Sequence, residues 1–107
     1  MIEGLWTVIF KSGSGEQGTG VVIFESEKIS GGDSQYYYLG RYEIKNERIS
    51  GQIEVNHFGN EPLSIFGPAK NFQLRISGLV DEKTMTLEGH VKDAPQMQIR
   101  IICKKRS

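Results

Sequence analysis

Arg48-Ile49-Ser50-Gly51-Gln52-Ile53-Glu54-Val55-Asn56-His57-Phe58 is the stretch that decides the fold class. Ile49, Gly51, Ile53, Val55 and His57 fall on one side of an extended chain, and Ser50, Gln52, Glu54, Asn56 and Phe58 on the other. A period of two marks a strand with one buried face, because successive side chains on a pleated backbone point to opposite sides. The same pattern continues downstream. Residues 72–79 put Phe72, Leu74 and Ile76 inward, against Gln73, Arg75 and Ser77. Residues 84–92 put Met85, Leu87, Gly89 and Val91 inward, with His90 among the outward residues. Met97, Ile99, Ile101 and Cys103 then oppose Gln98, Arg100 and Lys104. Asp81-Glu82-Lys83 and Asp93-Ala94-Pro95 are turns between these strands. Residues 59–71, with Pro62 and Pro68, suit no central strand. They are expected to cross one end of the sheet, with Ile65 and Phe66 as an apolar plug.

Upstream, strands are expected at residues 35–44, 28–30, 18–25 and 5–11. Lys45-Asn46-Glu47 is a short hairpin loop. Gly31-Gly32-Asp33 is expected to form the turn that launches the fourth strand, with the Asp33 carboxylate accepting backbone amides. Ser12-Gly13-Ser14-Gly15-Glu16-Gln17 is glycine-rich, but no helix pattern and no lysine-plus-hydroxyl ending follow it, so it is not a phosphate loop. No window holds apolar residues at helical spacing. Eight short strands joined by tight turns predict one all-β domain over residues 1–107, an eight-stranded antiparallel up-and-down barrel or a sandwich-like closed sheet, with the barrel as the leading expectation. A barrel of this size is filled by its own side chains or holds one small ligand. Tyr36, Tyr38, Ile53, Leu74, Leu87 and Ile99 are the candidates to line such a ligand site.

The N-terminal strands lack a clean polar face. Trp6, Val8 and Phe10 oppose Leu5 and Ile9; Val21 and Ile23 oppose Val22 and Phe24; Tyr36 and Tyr38 oppose Tyr37 and Leu39. A one-layer barrel buries only its inner side, and a second apolar face of this size marks an interface. A homodimer is expected, built on Leu5, Ile9, Val22, Phe24, Tyr37 and Leu39; the alternative is cover by the crossing over residues 59–71 or by a terminus.

Charge and chemistry narrow the function. Thirteen basic and thirteen acidic side chains cancel. That excludes a dedicated nucleic-acid binder, which needs a basic footprint, and it denies the four tyrosines the basic groove of a single-strand binder. Lys104-Lys105-Arg106 blunts the terminal strand. The single cysteine, Cys103, allows no internal disulfide and fits a reducing compartment. The segment 1–6 lacks the basic start and apolar core of a signal peptide, and no apolar run is long enough to span a membrane; a cytoplasmic protein is expected. Cys103 falls inward, as a small buried hydrophobe. His57 and His90 have no metal-ligand spacing. No catalytic residue, metal or cofactor is expected, and the protein is not expected to be an enzyme.

Several segments, in order, resemble the GrlR-like family of negative regulators of bacterial type III secretion gene expression. Gly4-Leu5-Trp6-Thr7-Val8-Ile9-Phe10 resembles the family's opening strand, with Trp6 in its aromatic slot. Gly18-Thr19-Gly20-Val21-Val22 resembles its second. Ile29-Ser30-Gly31-Gly32-Asp33, followed by Tyr37 and Gly40, resembles its most recognisable motif, and Ser64-Ile65-Phe66-Gly67 a further one. The resemblance spans nearly the whole chain. It implies a lipocalin-like barrel that dimerises, an apolar interior suited to a lipid-like ligand, and an anti-activator that sequesters a transcriptional activator. The family binds its activator through an acidic Glu-Asp-Glu-Asp run after the fourth strand. The matching loop here is Lys45, Asn46 and Glu47, of which only Glu47 is acidic.

Overall fold

In the computed structural model, residues 2–13, 15–59 and 71–107 are described. Eight antiparallel strands run β1 (Gly4–Ser12), β2 (Gln17–Glu25), β3 (Lys28–Gly32), β4 (Tyr36–Lys45), β5 (Arg48–His57), β6 (Asn71–Leu79), β7 (Thr84–Val91) and β8 (Ala94–Lys105). Each pairs with the next, and β8 returns to β1, closing the barrel without a free edge. The expected eight-stranded up-and-down barrel is the observed fold. Closure hides the backbone groups that an open sheet would leave unpaired.

Hairpin chemistry sets the register at the lower end. Glu25 pairs with Lys28 and Lys45 with Arg48, so two residues make each turn. Ser26, Glu27, Asn46 and Glu47 all have positive φ, between 50° and 65°. This is the type I′ conformation, whose twist matches that of the flanking strands.

Two boundaries differ from the sequence expectation. Gly31 and Gly32 lie inside β3, and the turn is residues 33–35. The reason is close approach: a Cβ on Gly31 would press on the Val21 carbonyl and come within 2.7 Å of Val22 Cα. Glycine lets β3 bend against β2, where any side chain would push the strands apart. Second, β8 begins at Ala94, so Pro95 is in the strand; it lies near the β-bulge at His90 and Val91, where regular pairing is already broken. The crossing expected over residues 59–71, with Ile65 and Phe66, falls almost wholly outside the described residues.

The two ends of the barrel are unlike. At the lower end Ile2 folds under the strands, and the Trp6 indole N–H donates to its carbonyl at 2.8 Å. Trp6 meets Phe24 edge-on at 5.9 Å, and Phe24 meets Tyr42 at 5.4 Å. With Ile49, Met85, Leu87 and Cys103, these side chains are buried and fill the lower half. Each large side chain buried this way contributes about 1.5–3 kcal/mol. At the upper end β1, β3, β5 and β7 finish, and the interior opens.

Pairing fixes which face of β2 looks inward. Trp6 lies opposite Val22, and directly paired residues share a side, so Val22 and Phe24 point into the barrel. Both are buried. Their assignment to the dimer face is therefore corrected: Val21 and Ile23 occupy the outside of β2. Leu5, Ile9, Tyr37 and Leu39 do lie on the outer face. Tyr37 and Leu39 are exposed, whereas Leu5 and Ile9 are half-buried. The C-terminal residues run beside Leu5, whose carbonyl accepts Arg106 N–H at 2.7 Å, and Ile9 pairs with Ile102 of β8.

Candidate functional site: the open mouth and the apolar outer face

Two features outside the packed lower half are able to bind something. The first is a cavity of about 310 Å³ at the open end. Of the six residues expected to line a ligand site, Tyr36, Tyr38, Leu74 and Ile99 face it. Ile53 and Leu87 do not; they line a separate void of about 30 Å³ beneath. That void is about the volume of one water in the liquid, so the interior below the mouth is packed. Phe10, Val55 and Phe72 join the mouth lining. Their inward parity was legible in the sequence, but their height along the barrel depends on the stagger of the strands, which was not.

The mouth has a polar element on its β3–β4 side. Asp33 starts the turn, and its Oδ1 accepts the amide N–H groups of Gln35 and Tyr36, both at 2.8 Å. Its Oδ2 accepts a hydrogen bond from the hydroxyl of Tyr38. The expected turn role of Asp33 is present, with an added link to an inward tyrosine. Burial, then the Asp33 bond, raise the Tyr38 hydroxyl well above the usual tyrosine range, so its proton stays in place. Phe10 packs edge-on against Tyr38 at 5.5 Å. His57 packs against Tyr36 at 5.1 Å and is not among the described residues that line the cavity. Cys103 is buried in the lower half, and burial pushes its thiol up to about 12. A thiol held protonated this way is a poor nucleophile. Among the described residues, no three histidine, cysteine, aspartate or glutamate side chains gather as metal ligands.

The second feature is the outer face of β2 to β4. Val21, Ile23, Tyr37, Leu39 and the adjoining Phe58 are 42–58 % exposed. Ile23 and Leu39 flank Ser30 of β3, and Val21 and Tyr37 flank Gly32. The small β3 residues leave a shallow trough between two apolar walls. Tyr37 and Phe58 meet at 6.3 Å and extend it upward. Around the barrel the outer surface changes character: Gln52, Glu54, Arg75 and Glu88 face out, and Arg100 binds Glu88 at 2.9 Å. Larger hollows on that side are open to solvent and lined mainly by polar side chains. The third candidate, the loop of Lys45, Asn46 and Glu47, sits exposed at the closed end, with Lys45 3.8 Å from Glu43. Its form is explained by the tight turn it makes.

No protein-family model matches this chain. No curated protein matches it either. Among solved structures, the chain is similar to a redesigned β-barrel. The two superpose with a TM-score of 0.67 over 99 % of this chain and 92 % of the other, at 14 % identity. The likeness is one of fold. It places the closed eight-stranded architecture among known barrels.

Proposed function

We propose that this barrel is a non-enzymatic, protein-binding regulatory module that acts as a homodimer through the outer face of β1 to β4. Following the GrlR-like resemblance, its role is that of a negative regulator that holds back a transcriptional activator. The observation that carries the reading is the uncovered apolar face of Val21, Ile23, Tyr37, Leu39 and Phe58. An outer barrel face meets water unless another molecule covers it. These five side chains expose roughly 400 Å², a patch size associated with interaction sites. That is about half of the ~800 Å² each partner contributes to a standard interface, and Leu5, Ile9 and the surrounding polar rim extend it.

A second copy of the chain is the occupant that the charges favour. Glu25 and Lys28 pair at the lower edge of the patch, where Lys28 also pairs with Arg41, and Glu54 lies opposite Leu39. Both signs therefore border the same patch, and a two-fold apposition can set each against its opposite. Zero net charge adds no repulsion between copies. Sedimentation equilibrium at tens of micromolar tests this reading. The wild type should give a dimer, and the double variant Ile23→Lys with Leu39→Lys a folded monomer. A monomeric wild type removes the proposal.

The mouth cavity favours a second role, carriage of one small apolar ligand. Native mass spectrometry of protein purified from cells would detect one added small molecule per chain.

A further inference from the structure

We propose that the open end of the barrel selects small apolar ligands whose head group is uncharged or cationic and donates a hydrogen bond, and that it turns away carboxylate heads. This rests on the ligand-carrier reading above and specifies what that site accepts. The argument starts from the proton inventory of the Asp33–Tyr38 pair. Tyr38 lines both the mouth and the small void beneath it. Its one hydroxyl proton is committed to Asp33 Oδ2. Asp33 Oδ1 already accepts two backbone amides. What the pair still offers the cavity is acceptor capacity only: lone pairs on the Tyr38 oxygen and on Oδ2.

Charge points the same way. The described lining residues include no lysine, arginine or histidine, and Asp33 is the one carboxylate among them. A carboxylate head would approach Asp33 with no cation among the described lining residues to offset it, in a half-enclosed space where like charges repel more strongly than in water. Gln17, Thr19, Ser34 and Gln35 also line the mouth and carry donor groups, so the bias against a carboxylate comes from the Asp33 charge; a phenol, an alcohol or an ammonium group meets the Asp33–Tyr38 acceptors without that repulsion. The same surroundings limit the body of the ligand. A cavity of about 310 Å³ above a packed interior holds a molecule on the order of 15 non-hydrogen atoms. A long acyl chain has no depth to enter. Phe10, Tyr36 and Phe72 present ring surfaces that suit an aromatic body.

Head-group competition on the full chain tests the assignment. The neutral fluorophore N-phenyl-1-naphthylamine is bound at pH 7.5. It is then displaced by 4-butylphenol, 4-butylbenzylamine or 4-butylbenzoate, which share one body. The phenol and the amine should compete at concentrations at least tenfold below the benzoate. Asp33→Asn keeps an acceptor for the two turn amides but removes the charge, and it should shrink the gap to less than threefold. Tyr38→Phe keeps the charge and should keep the bias against benzoate. Benzoate competing as well as the phenol in the wild type overturns the head-group assignment but leaves the carrier reading standing. So does a full gap that persists in folded Asp33→Asn, or a gap lost in Tyr38→Phe. Failure of the fluorophore and of all three competitors to bind removes both.

Discussion

Replacing Phe24 and Ile23 separately by alanine tests the inside–outside assignment on which the outer-face reading depends. The two are adjacent in β2, and the apolar residues around them alternate on both faces of the strand. In the structure Phe24 is 2 % exposed and sits edge-on between Trp6 and Tyr42, whereas Ile23 is 42 % exposed. Phe24→Ala removes a fully buried ring and both edge-to-face contacts, in a half of the barrel too well packed to collapse into the gap. Changes of this kind cost about 3–5 kcal/mol. Against a typical total of about 5–15 kcal/mol this is a large share, and it should lower Tm by roughly 15 °C or more. Ile23→Ala trims a half-exposed side chain and should cost about 1 kcal/mol or less at low micromolar concentration, where no dimer interface adds to the loss. Urea unfolding is the assay, followed by the fluorescence of Trp6, the single tryptophan and a direct neighbour of Phe24. If Ile23→Ala costs more than Phe24→Ala, β2 is turned by one residue and the outer face proposed here does not exist.

Three further outcomes follow from particular side chains. Glu47 has φ 65° in the turn after Asn46, a conformation that costs a non-glycine residue about 1 kcal/mol. Glu47→Gly makes the favoured Asn-Gly pair and should raise stability by up to about 0.5 kcal/mol in urea unfolding, after a glycine entropy cost of about 0.5–1 kcal/mol; a loss above about 1 kcal/mol would rule out the type I′ turn. The Tyr38 hydroxyl is raised in the folded state by burial and by Asp33. Above about pH 10 the unfolded chain therefore releases a proton that the folded chain keeps, and stability falls by up to ~1.4 kcal/mol per pH unit from this group. Tyr38→Phe should flatten that alkaline decline, with the remainder coming from Tyr42 and Cys103, whose hydroxyl and thiol burial also raises; an unchanged slope would contradict the buried Tyr38–Asp33 pair. The Cys103 thiol, buried and pushed up to about 12, should react with a disulfide reagent only as fast as the barrel unfolds, and rapid labelling of native protein would place it elsewhere.

Much of the architecture was legible in the sequence, for a plain reason. In β5 to β8 one face meets water and the other the core, so the period-two pattern states both the strand and its orientation. In β2 the central residues are apolar on both faces, and the polar residues that share the parity of Val21 and Ile23, which are Gln17, Thr19 and Glu25, lie toward the strand's ends. The expectation that Val22 and Phe24 face outward overlooks that signal, and Val21 and Ile23 take their place. Gly31-Gly32 looked like a turn because paired glycines usually serve turns; in β3 they serve close strand approach, which depends on where Val21 lies in space. The ligand-lining set split for a related reason. Alternation tells which residues face inward but not at what height, so Ile53 and Leu87 lie in the packed lower part while Tyr36, Tyr38, Leu74 and Ile99 reach the cavity. The hydrogen bond from Tyr38 to Asp33 joins a turn residue to a strand residue five positions away, and no composition or periodicity signals it.

Hydroxyl-radical footprinting at low and high protein concentration tests the central claim most directly, because it reports both association and the surface used. Exposed apolar residues at the closed end, Ile44 and Leu79, serve as internal controls. On raising the concentration from about 1 to 100 μM, spanning the K_d range of a micromolar interface, Val21, Ile23, Tyr37, Leu39 and Phe58 should lose reactivity together, while Ile44 and Leu79 stay unchanged. Reactivity that is independent of concentration, or protection centred on Ile44 and Leu79, would contradict the account.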